Sequence, residues 1–140
     1  MDLNSRITDS FLRQTMMTTL GARLDSIEPG QVVVSAPILD SSKQQHGVAH
    51  AALTFAIGDT AAGYSALTII PDNHEVMTAE IKINLLAPAR GDRLRATGRV
   101  IKPGRRLVVV AADVHAIEGG HETLVAVLQG TMAPIPINRN

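Results

Sequence analysis

Between His50 and Asp72 the chain carries one charged side chain, Asp59, in a run of alanines and other apolar residues from Ala49 to Ile69. A helix over 49–66 would be about 27 Å long. It is apolar nearly all round, so it must be buried on most of its faces. Gly58 and Gly63 each weaken such a helix by about 1 kcal/mol relative to alanine. Small residues at that cost predict close packing against another backbone. The 140 residues, 45% of them apolar, supply one core and one domain spanning 1–140. The rest of the chain has to cover this helix.

The remaining segments read mainly as strands. Phe11, Leu12, Thr15, Met16 and Leu20 fall near helical spacing, which predicts a short helix over 8–19, capped by Thr8 or Asp9 and ended by Gly21. Residues 22–28 alternate, Pro29-Gly30 signals a turn, and 31–37 is β-branched, together a hairpin. Residues 40–47 are polar and read as a loop. Four strand-like runs follow at 76–87, 92–102, 106–117 and 122–133, joined through Pro88-Ala-Arg-Gly91, Lys102-Pro-Gly-Arg105 and Glu118-Gly-Gly-His121. Links of hairpin length predict a four-stranded antiparallel meander. The expected fold class is α+β, with a curved antiparallel sheet wrapped around one long helix. One helix leaves sheet edges uncovered, which predicts association of two sheets.

Composition narrows the function. Thirteen basic residues balance thirteen acidic ones, and aromatics are 2%. Duplex binding draws on a basic excess and single-strand binding on aromatic platforms, so nucleic acid is not an expected partner. No run of about 18 apolar residues is free of polar interruption, so no membrane span is expected. The start, Met1-Asp2-Leu3-Asn4, has no secretory pattern, and the chain is read as cytoplasmic. With no cysteine, a disulfide framework, a zinc ribbon and a thiol nucleophile all fall away. Arg90, Arg93, Arg95, Arg99, Lys102, Arg105 and Arg106 fall close together in sequence. They read either as a solvated strand face or as a docking surface for a phosphorylated ligand.

Asp59 is the informative residue. Its helical neighbours Phe55, Ala56, Ala62 and Gly63 are small or apolar. A carboxylate there would be desolvated, which raises its pKa and makes it a better base. The competing reading is an exposed Asp, or one paired with an arginine of the sheet. His50 stands at the predicted helix start as a cap or surface residue. Beside it the N–H groups of Ala51 and Ala52 offer the positive end of the helix dipole to a carbonyl. His46 and His50 are four apart, but no third ligand follows at zincin spacing, and no metal site is assigned. No Gly-x-Ser-x-Gly elbow, phosphate-binding loop or dinucleotide fingerprint is present. Acid–base chemistry by a lone carboxylate remains.

The stretch Gln44-Gln-His-Gly47-Val-Ala-His50-Ala-Ala-Leu-Thr-Phe-Ala-Ile-Gly-Asp59-Thr-Ala-Ala-Gly63 resembles the hotdog-fold thioesterases of the PaaI-like, phenylacetate-pathway type. In that pattern a polar Asn or Gln precedes Gly-x-x-His-Gly-Gly, and an acidic residue follows nine positions after the histidine. Ile81-Lys-Ile-Asn84-Leu-Leu-Ala-Pro88-Ala-Arg-Gly91 resembles the family's strand ending in Pro-Ala-x-x-Gly, and Gly104-Arg-Arg-Leu107 its next strand start. The likeness covers roughly residues 20–133. One departure stands out: Ala51 and Ala52 replace the family's two glycines. Alanine keeps the N–H, while its methyl crowds the thioester.

The resemblance implies hydrolysis of acyl-CoA thioesters with no separate cofactor, in a homodimer that pairs into a dimer of dimers. It implies a site across the dimer interface, with Asp59 of one subunit facing Gln44, His50 and Ala51 of the other. Asp59 would act as general base or nucleophile, and the Ala51 N–H would hold the oxyanion. Gln44 would orient the thioester or water, His50 would organise the loop, and Thr78 would hold the water. Gly47 and Ala52 would line the substrate path, and Arg90, Lys102, Arg105 and Arg106 would meet the CoA phosphates. Two further readings stand beside it: a non-catalytic hotdog protein binding acyl-CoA or another apolar ligand, and a 3-hydroxyacyl thioester dehydratase.

Overall fold

The computed structural model describes residues 2–137. The apolar run forms the long helix α3 (Ala51–Leu67), which follows the short helices α1 (Leu3–Leu12) and α2 (Thr15–Leu20) and the strands β1 (Arg23–Glu28) and β2 (Gln31–Pro37). Strands β3 (His74–Leu85), β4 (Arg93–Lys102), β5 (Val108–Glu118) and β6 (His121–Pro136) complete one antiparallel sheet in the order β1-β2-β4-β5-β6-β3. No helix among the described residues is long and apolar enough to cross a membrane.

Alternation along the strands builds the core. Val32 and Val34 of β2, Leu94 and Ala96 of β4, and Val110, Ala112 and Val114 of β5 point toward α3 and are fully buried. From the helix, Leu53, Ile57, Ala61 and Ala62 meet them. The other set of side chains faces away from the helix. There Arg95 forks onto Glu122 at 2.5 and 2.9 Å, and Arg99 reaches Asp113 at 3.2 Å. For these two arginines the solvated strand face is the correct reading, and exposed pairs of this kind add only about 0.2–1 kcal/mol.

Three sequence expectations need correction. The N-terminal helical region starts earlier than 8–19 and is broken in two. Asp2 caps α1 by accepting from the Ser5 N–H at 2.8 Å, and the buried face is Ile7 and Phe11, four apart. Gln14 then leaves the helical conformation before α2 begins. Gly21 ends α2 with φ 68°, as expected.

The second correction concerns topology. β4, β5 and β6 form a meander, but β3 pairs with β6 and not with β4. The link Leu86–Asp92 is a crossover. It passes beneath the ends of β6 and β5, where the Leu86 N–H donates to Val125 O and the Asp92 N–H to Ile117 O, each at 2.8 Å. Three strand spacings are about 14 Å, within reach of seven extended residues at roughly 3.3 Å each. β3 is thereby left at one edge of the sheet.

The third concerns the glycines. A Cβ at Gly58 would lie 2.9 Å from the Leu128 side chain, and one at Gly63 would reach only Met132 at 3.8 Å. Neither touches a foreign backbone. The close backbone approach is made from the strand side: a Cβ at Gly98 of β4 would fall 2.2 Å from the Ala61 carbonyl carbon. Gly98 is what lets the sheet wrap closely around α3.

Candidate active site

Asp59 sits at the middle of α3, half-buried. Burial pushes its carboxyl above the usual carboxylate range, and a hydrogen bond from Thr78 pulls the other way without cancelling it. The Thr78 hydroxyl donates to Asp59 Oδ1 at 2.7 Å and lies 3.3 Å from Met132 Sδ. Its single proton is used on a protein atom, so Thr78 is placed to hold the carboxylate and can offer a water only its lone pairs. No Lys, Arg or His pairs with Asp59 among the described residues. The expected alternative, an arginine partner from the sheet, is absent there. Asp59 opens onto a pocket of about 170 Å³.

The start of α3 is a second polar centre. His50 caps it: Nδ1 accepts from the Ala52 N–H at 2.9 Å, so the proton of the neutral ring belongs on Nε2. The His50 N–H donates to Ser42 O at 2.9 Å, tying the helix start to the loop before it. The Ala51 N–H has no acceptor among the described residues. It is one of the free donors that a helix start leaves, at the positive end of the helix dipole.

Gln44 anchors the neighbouring turn. Its N–H donates to Val48 O at 2.9 Å, its carbonyl accepts from the Gly47 N–H at 3.0 Å, and its side-chain oxygen accepts from the His46 N–H. Its side-chain NH₂ has no acceptor among the described residues. Gly47 has φ 80°, a left-handed turn that L-residues avoid. Gln44, Ala51, Thr54 and Leu85 line a cleft of about 420 Å³. Ala52 is exposed beside it.

Within one subunit these two centres are separate. Asp59 is about 12 Å along α3 from Ala51, and neither Gln44 nor Ala51 lines its pocket. The basic residues are divided as well. Arg90 lies on the crossover with Glu118 and His121 around a hollow of about 350 Å³. Lys102 closes the opposite end of β4 and Arg105 and Arg106 lie just past it, the two arginines bordering a concavity of about 710 Å³ with Ile70 and His74. The residues that do share the Asp59 pocket were not singled out from sequence: Ser10, Gln14, Glu75, Tyr64 and Met132. They come from α1, the α1–α2 break, β3, α3 and β6, so only a pairwise spatial signal could have grouped them.

A family model described as the Thioesterase superfamily matches residues 46–123. The chain belongs to that superfamily. The match begins in the Gln44–Val48 turn and takes in α3, β3, β4 and β5. A thioesterase family protein from Silicibacter pomeroyi is 37% identical, with a TM-score of 0.94 over 96% of this chain and 99% of that one. A thioesterase from Staphylococcus aureus, solved as a variant, is 27% identical, with a TM-score of 0.81 over 88% and 100% of the two chains. The PaaI protein of the Escherichia coli phenylacetic acid degradation operon shares the fold at 21% identity, with a TM-score of 0.84 over 97% and 96%. The architecture is the hotdog fold that the helix motif suggested, and the superfamily's chemistry is thioester hydrolysis.

Proposed function

We propose that this thioesterase hydrolyses acyl-CoA at a site shared by two copies of the chain, with Asp59 as the reacting carboxylate. The observation that carries this is Asp59 itself, a desolvated carboxylate at a pocket mouth, held by one hydroxyl and paired with no cation among the described residues. Such a group is a stronger proton acceptor than an exposed carboxylate. It either takes a proton from water as the water attacks the thioester carbon, or attacks that carbon itself and is released by water. In both routes the carbonyl oxygen gains negative charge, the C–S bond breaks, and the products are the free acid and the CoA thiol.

The Ala51 N–H, free at the start of α3, is the donor for that oxyanion. Replacement of the family's first glycine leaves this N–H in place. Gln44 directs its free NH₂ at the thioester or water, His50 holds Ala52 and the loop in register, and Gly47 and Ala52 border the entering substrate. Thr78 orients Asp59. The site needs no cofactor, because CoA arrives with the substrate.

Two copies are required because Asp59 and Ala51 open onto different clefts of one subunit. The outer edge of β3 is unpaired among the described residues, and the strand carries exposed Met77 and Leu85. Free edges of this kind favour pairing about a twofold axis. An axis near Ile81 and Lys82 sets Thr78 and Asp59 of one subunit across from the partner's Leu85, which lines the same cleft as Gln44 and Ala51. The same pairing brings Arg90 of one subunit to the end of the other that carries Lys102, Arg105 and Arg106, giving the CoA phosphates one basic end. Two such dimers then pair into the tetramer. The Staphylococcus aureus relative has been solved both as a glutamine-to-alanine and as a glutamate-to-alanine variant, and the two positions are fifteen apart, as are Gln44 and Asp59.

The test is thiol release from a panel of acyl-CoA thioesters, with Asp59→Asn and Gln44→Ala alongside. Asp59→Asn should lose at least about 100-fold in kcat. Mixing and refolding the two variants together should recover up to about a quarter of wild-type activity, because each mixed dimer rebuilds one intact site. A chain that binds CoA thioesters yet releases no thiol would be the non-catalytic binder that the Ala51-Ala52 pair suggests. Recovery near zero with both variants dimeric would place the whole site within one subunit.

A further inference from the structure

The Asp59 pocket contains groups that the hydrolysis above does not use. Tyr64, 5% exposed, accepts from Gln14 Nε2 at 2.7 Å and lies 3.0 Å from Ser10 Oγ. Two hydroxyls make one hydrogen bond between them, and Gln14 consumes neither of their protons. One O–H of this pair therefore has no acceptor among the described residues. At the wall of a pocket, such a donor awaits an acceptor on whatever enters.

Gly63 is the second, independent observation. It lies on the pocket wall one helical turn beyond Asp59. A methyl there would meet only the Met132 side chain, at 3.8 and 3.9 Å, which is ordinary contact. Its backbone does not have positive φ. Gly58, by contrast, is hemmed in at 2.9 Å by Leu128. Packing explains Gly58 and does not explain Gly63, where alanine would fit and would favour the helix. What the glycine provides is room in the pocket. At about 170 Å³ the space is near the roughly 150 Å³ of a cavity that accepts benzene. Glu75 adds a second carboxylate to the lining, which holds no Lys, Arg or His.

We propose that this pocket receives the acyl group, and that Gly63, Tyr64, Ser10 and Gln14 select a short, neutral acyl chain of about ring size with a hydrogen-bond acceptor at its far end, such as a ketone or hydroxyl. This rests on Asp59 as the reacting carboxylate. Size follows from Gly63, the far-end acceptor from the spare hydroxyl, and neutrality from Asp59 and Glu75, which repel an anionic tail.

The experiment compares hexanoyl-, 5-oxohexanoyl- and glutaryl-CoA, the last placing a carboxylate where the second has its ketone. The kcat/KM for 5-oxohexanoyl should exceed that for hexanoyl by about 3- to 10-fold, the worth of one net hydrogen bond, and glutaryl should be the poorest. In a Ser10→Ala/Gln14→Met/Tyr64→Phe variant the oxo-to-parent ratio should fall to about one. In Gly63→Ala the hexanoyl-to-acetyl ratio should fall about tenfold. Dissociation constants of the matching non-hydrolysable thioethers give the same ratios without turnover.

Turnover with no oxo preference, or with glutaryl as the best of the three, overturns the pocket assignment and leaves hydrolysis standing. A preference in binding without turnover supports the pocket and overturns hydrolysis. Absence of both binding and turnover overturns both. Should the triple variant fail to fold, Gly63→Ala and the wild-type panel decide.

Discussion

The Thr78 hydroxyl donates to Asp59 Oδ1 at 2.7 Å and so ties the sheet's edge strand to the central helix. It favours the charged carboxylate, while burial, the larger influence, disfavours it. Thr78→Val removes the favourable part and leaves the other. The acid limb of the pH dependence of kcat/KM should move to higher pH, and the plateau should drop about 3- to 10-fold as the carboxylate loses its orientation. Thr78→Ser should restore both. A limb that stays in place would remove Thr78 from the site.

The same carboxylate makes the fold less stable as pH rises. Folding raises the Asp59 pKa, so between the unfolded and folded values the native state binds more protons than the unfolded chain. Stability then falls as pH rises through that window, and the cost persists above it. Asp59→Asn keeps an acceptor for Thr78 and discards the charge. It should melt above wild type at pH 8, with the gap closing as pH falls below the unfolded value of about 3.9. Equal melting temperatures at pH 8 would mean that burial exacts no cost there.

His50 is a helix cap through its ring, with the Ala52 N–H donating to Nδ1 at 2.9 Å. His50→Ala should lower unfolding free energy by about 1 kcal/mol, and His50→Asn should recover most of it, since Asn caps well. Urea titration measures both. If Ala and Asn behave alike, the capping bond contributes nothing.

Two glycines should respond in opposite ways to alanine. Gly98→Ala drives a methyl to within 2.2 Å of the Ala61 backbone and should cost about 3 kcal/mol or more, because neither α3 nor β4 can give way. Gly63→Ala meets no obstacle and should add up to about 1 kcal/mol through helix propensity. Thermal melts of the two variants give the contrast directly. A stable Gly98→Ala protein would require the sheet to stand further from the helix than it does.

Much of the fold was legible because it is written in local patterns. The uncharged run around Asp59 could only be a buried helix, and it forms one from Ala51 to Leu67. The β2 strand lies at the residues its β-branched run marks, and Gly21 stops α2 through a left-handed φ. Asp59 stood out as the one charge in an apolar run whose neighbours would desolvate it, His50 by its place at the helix start, and Gln44 only through the resemblance to the thioesterase motif.

Long-range structure lay beyond such patterns. Periodicity fixes which face of a strand is apolar but is blind to which strand lies beside it. The Leu86–Asp92 link therefore read as a hairpin although it carries the chain past two strands, leaving β3 at the edge beside β6. For the same reason Arg90 and the Arg105-Arg106 pair, close together in sequence, ended at opposite ends of β4. Helix α1, whose Leu3, Ile7 and Phe11 are four apart, delivered Ser10 beside Tyr64. What the sequence by itself determined was the buried helix, the strands and a lone desolvated carboxylate, because side-chain chemistry and its period act over a few residues. The tertiary structure decided what surrounds that carboxylate and that its pocket excludes Gln44 and Ala51, because those depend on contacts between segments far apart in the chain.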